Sequence, residues 1–505
     1  MISAFRNIFH IPELRNRIIF TLLMIVVIRF GTAITLPGVD SFALDKFIEA
    51  RLLEDDATRG GAAVAALLNV FSGGALSNCA IFALGVMPYI SASIMMQLLT
   101  AVVPQLGRLA RQEGGRSKIN QYTRLVTIGL AILQGFFLVK SLVDPSTNPF
   151  LGGFDVTKYG PLVPNPDWVY YLSATTTIVA GTMLLMWMGE QITERGIGNG
   201  VSLIIAVNII HNFPAAIIQI WNKYVKPALT GATDVNPLSP AIMVMLLVFM
   251  IVVIAGVIAI TQAQRRVPIA YAKRMVGRKM LGGQKQYMPL KVNYAGVMPI
   301  IFAQAILTFP MFLSPMFASV NWLQTLLYHI SSPNAVTHYI ILGLMIFFFS
   351  YFWVATMFQP GQIAEELKKN GGYIPGVRPG KPTADFLDFS MSRLTFAGSI
   401  FLTIIAVLPT LISLKAEVPP VAAQFFGGTS ILILVGVLLD IMRQMETHLL
   451  QRHYDGFLRR GKIRGRFDKT KGLGTGNAAS SKTTMWLAIL AAILVLLGAA
   501  AMLTR

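Results

Sequence analysis

The residues able to do chemistry in this chain are few and scattered. Six histidines stand at positions 10, 211, 329, 338, 448 and 453, and none has the spacing of a metal site. Cys79 is the one cysteine, which excludes an intrachain disulfide and a cysteine-based metal cluster. There is no phosphate cradle of the form G-x-x-x-x-G-K-S/T. GGTS at 427–430 lacks the lysine, and neither H-E-x-x-H nor G-x-S-x-G occurs. Ion-coupled transport needs charge at mid-membrane depth. The apolar stretches near 79–100, 201–219 and 294–314 carry none. Glu190 and Glu194 stand at the end of a helix in MGEQITERGIGNG. Asp440 and Arg443 lie one turn apart, and a local pair satisfying itself is their simpler reading. No catalytic residue, metal or cofactor is expected, and coupled transport of small ions is disfavoured.

Composition says what surrounds these residues. The 505-residue chain is 54% hydrophobic and only 13% charged, with a mean hydropathy of +0.62. Soluble domains carry roughly 25% charged residues, so lipid is the solvent for most of this chain. A crossing helix needs about 17–25 apolar residues. Candidates fall near 18–36, 79–100, 124–142, 170–189, 201–219, 240–260, 294–314, 338–358, 394–411, 429–449 and 484–502. Residues 1–17, MISAFRNIFHIPELRNR, read as an amphipathic helix on the cytoplasmic surface or as a plain charged flank. No clean small-x-small cleavage site follows the first apolar run, so that run reads as a spanning helix.

Charge in the loops orients the spans. Arg108, Arg111, Arg116 and Lys118 oppose one acid, Glu113, in the 104–123 loop. The 261–293 loop carries Arg265, Arg266, Lys273, Arg274, Arg278, Lys279, Lys285 and Lys291 with no acid, and the 450–483 tail is basic again. The 37–78 loop is rich in Asp and Glu, and the 315–337 loop has no charged residue. Basic loops stay inside, so the N-terminus is placed in the cytoplasm. A Gly/Ser/Lys-rich linker, GLGTGNAASSKTT, sets the 484–502 helix apart. The expected fold is an all-α polytopic membrane protein. Its ten-helix core divides into halves of five, 18–219 and 240–449, joined by an external connection at 220–239. One extra C-terminal helix follows. An odd number of helices per half makes the two halves inverted.

The net charge of +19 suggests a lipid surface, an acidic protein or RNA as partner. Two basic stretches, AQRRVPIAYAKRM at 263–275 and KKNGGYIPGVRPGKPTADFLDFSMSRLT at 368–395, mix stiff turns and aromatics with Arg and Lys. They read as a docking platform, with a solvated face beside anionic lipid as the alternative. GIGNG at 196–200 reads as a tight turn between helices. FSGGALSN at 71–78, small and free of charge, reads as a re-entrant or interfacial piece before a span.

Long stretches of the chain resemble the SecY/Sec61-alpha family of protein-conducting channels. They are FSGGALSNCAIFALGVMPYISASIMMQLLT, INQYTRL, GTMLLMWMGEQITERGIGNGVSLII, QRRVPIAYAKR, MPLKVNYAGVMP, GGYIPGVRPGKPT, SRLTFAGS and FFGGTSILI, spread over residues 1–470. The resemblance implies two inverted halves hinged near 220–239, with a lateral gate between helices 2–3 and 7–8. It implies a plug at about 64–78, including Phe71, Ser72, Gly73 and Gly74. It implies a pore ring of Val86, Ile90, Val201, Ile205, Ile301 and Ile433, where the two valines depart from the family's usual isoleucine. Gln97 and Thr100 fall where a polar gate patch would form. Arg265, Arg266 and Arg378, in the basic loops 261–293 and 359–393, fall where motor or ribosome docks. Implied partners are SecE-like and SecG-like small subunits, a SecA-type cytoplasmic ATPase, the ribosome, anionic lipids and unfolded polypeptides bearing a signal. The implied site is the bacterial cytoplasmic membrane. The 484–502 helix lies outside the usual core pattern. Two rival readings are a small-solute secondary transporter and a membrane scaffold or insertase. The first requires a polar midplane site; the second has no need of plug and ring.

Overall fold

A computed structural model describes residues 12–40, 42–44, 46, 72–143, 159–222, 239–271, 274–276, 279–281, 285–313, 321–331, 336–416 and 428–460. The N-terminal 1–11, plug residues 64–71, most of the 220–239 connection and the 484–502 helix lie outside them. The chain divides into two compact units, Met1–Leu449 and Leu450–Arg505. In the second, the described residues are the last turns of a helix.

The chain is mostly helical. Its helices are α1 (Pro12–Gly31), α2 (Met87–Val102), α3 (Pro104–Arg111), α4 (Gly115–Val143), α5 (Trp168–Arg195) and α6 (Gly200–Ile220), followed by α7 (Ser239–Gln262), α8 (Met298–Leu313) and α9 (Asn321–Ser331). Then come α10 (Val336–Met357), α11 (Pro360–Lys369), α12 (Lys381–Ala416) and α13 (Thr429–Arg460). Five described helices are long and apolar enough to cross a membrane, and α2 with α3, bent by 105°, is a sixth if taken as one span. The chain is therefore a multi-pass membrane protein. Exposed apolar side chains such as Leu22, Leu23, Val26 and Phe30 on α1 are what lipid-facing surface requires.

The second span begins later than its hydropathy predicts. Residues 79–86 form turns, and the helix starts at Met87 with Pro88 in its first turn. Gly85, at φ +57, and the proline's fixed φ set that start. Val103 is extended ahead of Pro104, which breaks α2 from α3.

The 72–86 segment is irregular yet satisfied. Leu76 N–H donates to Ser72 Oγ at 3.2 Å. Ala80 N–H donates to the Ala75 carbonyl at 2.8 Å, Leu36 N–H to Cys79 O at 2.9 Å and Ile81 N–H to Ile34 O at 3.0 Å. Ala75 and Ala80 are fully buried. Non-helical backbone at membrane depth persists only where protein covers it and bonds it.

A second departure lies in the basic loops, which build β-structure rather than turns alone. Strand β1 (Gln264–Tyr271) pairs antiparallel with β4 (Lys285–Lys291), Val267 opposite Met288. Its far end pairs with β5 (Gly372–Tyr373), Ala270 opposite Tyr373. A separate ribbon joins β2 (Arg274–Val276) to β3 (Lys279–Leu281). Alternation explains β1: Val267 and Ile269 are buried while Arg265, Arg266 and Pro268 are exposed. Val267 on that buried face clusters with Leu290, Ile374, Phe358, Leu387 and Met391. Loops 261–293 and 359–393 are thus knitted into one sheet.

At the same end, Gly198 N–H donates to Gln444 Oε1 at 2.8 Å, and Leu14 and Ile197 cluster with Ile441 and Met445. These contacts tie α1, the 196–199 turn and α13. The turn works as a tight link should: Gly198 sits at φ +86, and Asn199 caps α6 by accepting from Ser202 N–H at 3.2 Å. Gly200 presses against the Gly189 carbonyl, where a Cβ would overlap backbone. Gly200→Ala is expected to destabilise the protein by about 1–3 kcal/mol through overpacking. A lowered Tm in detergent checks this; an unchanged Tm would show that α5 and α6 can part freely.

Candidate pore constriction and its closing segment

The ring positions come from four helices and the turn before α2. Val86, Ile90, Ile205, Ile301 and Ile433 are all buried in one apolar cluster, with half-buried Val201 packed against it. Four of them, Ile90, Val201, Ile205 and Ile301, also line a cavity of about 410 Å³. Val86 and Ile433 lie in the cluster but not on that wall. Branched apolar side chains suit such a place because they close on one another and offer a passing chain no hydrogen bond. An apolar collar also disfavours water and ions when empty.

Met298 and Phe302 add to the apolar side, and most of the remaining wall is polar and belongs to the basic-loop ends of the helices. Gln97, Asn120, Arg124, Glu190, Glu194 and Asn199 contribute to it. Arg124 grips Glu190 with a fork: Nε donates to Oε1 at 3.0 Å and Nη2 to Oε2 at 2.6 Å. This ion pair braces α4 to α5. Asp440 is exposed and makes no salt bridge with Arg443 among the described residues. Gln97 Nε2 donates to Ser93 Oγ at 3.2 Å, and Thr100 Oγ1 donates to its own helix at Gln97 O, 2.8 Å. Gln97 reaches the cavity and Thr100 does not.

Of the predicted plug residues, Phe71 lies outside the described residues. Ser72 is buried, and Gly73 and Gly74 take φ of +64 and +90. Gly73 O accepts from Arg29 Nη1 at 3.0 Å. Arg29 Nη2 donates to Asn208 Oδ1. His211 stands beside Gly74. Ala75, next in sequence, is buried in the same apolar cluster as the ring.

Arg29 and Asn208 are not among the residues expected from sequence. The signal was present: Arg29 is a lone charge inside the apolar run at 18–36, and an intramembrane ionisable residue marks function by default. Asn208 follows Ile205 by one helical turn, which places it beyond the ring and away from the basic loops.

On the platform, Arg265 and Arg266 are exposed on β1. Arg378 is exposed in a turn set by Gly376 and Gly380, both at positive φ. Its carbonyl accepts from Thr383 Oγ1 at 2.8 Å.

This helical membrane architecture matches the fold of solved protein-conducting channels. "The structure of a protein conducting channel" is 16% identical, with a TM-score of 0.57 over 89% of this chain and 95% of that one. Similar in fold is a structure described as showing that the plug domain of the SecY protein stabilizes the closed state of the translocation channel and maintains a membrane seal. Its TM-score is 0.56 at 16% identity, over 89% of this chain and 95% of that one. Sec61 in the canine ribosome-channel complex aligns with a TM-score of 0.54 at 16% identity, over the same shares. These likenesses establish the fold. The SecY family model matches residues 80–442. Protein translocase subunit SecY of Aquifex aeolicus is 42% identical over 91% of this chain and all of that one. The Thermotoga maritima subunit is 41% identical over 92% of this chain and all of its own. The chain belongs to the SecY family.

The Arg124–Glu190 fork is partly open to solvent, with side-chain exposures of 47% and 23%. A double-mutant cycle with Arg124→Gln and Glu190→Gln should therefore give a coupling of only about 0.5–1 kcal/mol, shrinking as salt is added. Coupling that salt leaves unchanged would mean the pair is shielded in the membrane.

Proposed function

We propose that this chain forms the channel through which unfolded, signal-bearing polypeptides cross the bacterial cytoplasmic membrane, and from which apolar segments pass sideways into lipid. One observation carries the reading. Four helices and a turn contribute branched apolar residues to a single cluster, bordered by a cavity on the basic-loop side and by the buried, turn-rich 72–86 segment. A small-solute carrier would need a polar binding site at that depth, whereas the ring positions are branched and apolar and the nearby Asn208 is bonded to Arg29.

The core reads as ten helices in two inverted halves, α1, α2, α4, α5 and α6 against α7, α8, α10, α12 and α13, with the N-terminus in the cytoplasm. The lateral gate lies where α8 packs on α2 and α4. A signal's apolar stretch gains about 0.8 kcal/mol per buried CH₂ by entering there, which biases the halves apart and frees the plug. The ring of Val86, Ile90, Val201, Ile205, Ile301 and Ile433 then closes loosely around the moving chain. Gln97 gives the gate a polar spot.

Directed movement needs an outside source, because the sequence holds no phosphate cradle. A SecA-type ATPase and the ribosome are the proposed sources, docking on the sheet that presents Arg265 and Arg266 and on the Arg378 turn. Their attraction is electrostatic and geometric. SecE-like and SecG-like subunits are proposed to clamp the two halves, with anionic lipids on the basic face.

A photoreactive residue at Ile205, with a secretory precursor stalled in transit, should give a precursor adduct that depends on the ATPase and on an intact signal. No adduct there, while a probe near Arg378 still captures the ATPase, would reject the pore path. Arg378→Glu should slow ATPase-driven translocation at least tenfold, assayed in membrane vesicles. Full activity would remove Arg378 from the docking surface.

A further inference from the structure

Arg29 is a cation in an apolar span, and it contacts two segments distant in sequence. Its Nη1 donates to the Gly73 carbonyl at 3.0 Å, and its Nη2 donates to Asn208 Oδ1. Its Nε is buried and has no partner among the described residues. Asn208 is almost fully buried on α6, with Asn212 Nδ2 bonded to its carbonyl at 3.1 Å. Asn208 orients one edge of the guanidinium, and Gly73 satisfies another. A bond between a charged donor and a carbonyl is stronger than a neutral one, and leaving the charge unmatched inside a membrane is costly.

The geometry also accounts for glycine at 73. A Cβ there would collide with Arg29 Nη2 and with Asn208 Oδ1, and φ is +64. The guanidinium and amide thus lie against the backbone of the turn itself. They hold it through a main-chain atom, a contact that one bond's breakage releases whole. Around that bond, Ala75 and Leu76 are buried among apolar side chains, Ser72 Oγ accepts from Leu76 N–H at 3.2 Å, and His211 stands beside Gly74.

We infer that Arg29, positioned by Asn208, is a latch that holds the 72–78 segment in the closed channel by its bond to the Gly73 carbonyl, and that opening requires this bond to break. This rests on the reading of that segment as the plug. After release the guanidinium keeps Asn208, so the open state is not left with a wholly unpaired cation. The latch therefore sets how strong a signal must be to open the channel, and Arg29 acts as a positioning residue that touches no substrate.

The test uses the full chain in its native membrane, assayed two ways. One readout is resting ion conductance after fusion with planar bilayers. The other is translocation into inverted vesicles of a precursor with a weakened signal. Arg29→Met and Gly73→Ala should each raise both readouts about tenfold, equivalent to 1.4 kcal/mol. Together they should do no more than either alone. Gly73→Ala alters neither helix, so it keeps the test open if Arg29→Met lowers the amount of folded protein. Arg29→Lys should fall between wild type and Arg29→Met, because it keeps the charge and loses the fork. Deletion of 72–78 reports on the underlying reading. If deletion raises conductance while both substitutions stay at the wild-type level, the latch is wrong and the plug stands. If deletion changes nothing, the plug reading falls and the latch with it. If Arg29→Met adds its full effect on top of the deletion, Arg29 braces α1 against α6 and is no latch.

Discussion

Inside a bilayer, a backbone N–H or C=O without a partner has no water to turn to, and each such group costs several kcal/mol. Everything else in this molecule depends on that constraint. It makes the chain helical wherever it faces lipid. It allows the irregular 72–86 segment only because residues 34–36 bond its edge and because helices bury it. If residues 72–78 are the closing element proposed above, they cannot be tied in by a full ladder of main-chain bonds, and the Arg29 contact to Gly73 O with buried Ala75 and Leu76 is the kind of seat that role requires.

The two ends of the helices then divide the work. At the basic-loop end, polar side chains line the cavity and a bidentate ion pair braces α4 to α5. One turn beyond Ile205, the same α6 presents Asn208 toward Arg29 and Gly73. A single helix thus contributes to the cavity wall, the apolar cluster and the Arg29–Asn208 contact. Close backbone approach makes this possible, since Gly200 against the Gly189 carbonyl lets α6 begin beside the end of α5. Opposite them, α8 supplies Ile301 to the cluster, and its Phe302 packs edge-on against Phe349 and Trp353 of α10, with ring centroids 5.9 and 5.5 Å away. That aromatic layer joins the cluster to α10.

The basic-loop sheet rests on the same economy. Separate basic loops would be two mobile chains of charge. Pairing β1 with both β4 and β5, over a buried face of Val267, Ile269 and Leu290, makes them one surface with Arg265 and Arg266 outward. The rigidity comes from the apolar side of the sheet, and the positive charge lies on the exposed side.

By itself the sequence determined that the chain lives in lipid, where most of its spans lie and which loops carry the positive charge, because hydropathy and charge are properties of local composition. Extended motif resemblance pointed to branched residues that the fold gathers into, or packs against, one buried apolar cluster. Tertiary structure decided the rest. Hydropathy placed the second span from 79, yet Gly85 and Pro88 delay the helix to Met87, and the apolar residues before it are buried in turns. Cysteine at 79 even takes positive φ, which composition cannot foretell. The strand pairing of 264–271 with 372–373 joins residues about a hundred positions apart. The union of Arg29, Gly73 and Asn208 spans 179 positions. An arginine in an apolar run announces a need for partners but not their identity. Partners are chosen by which backbone carbonyl and which amide the packed helices bring within hydrogen-bond reach, and only the fold specifies that.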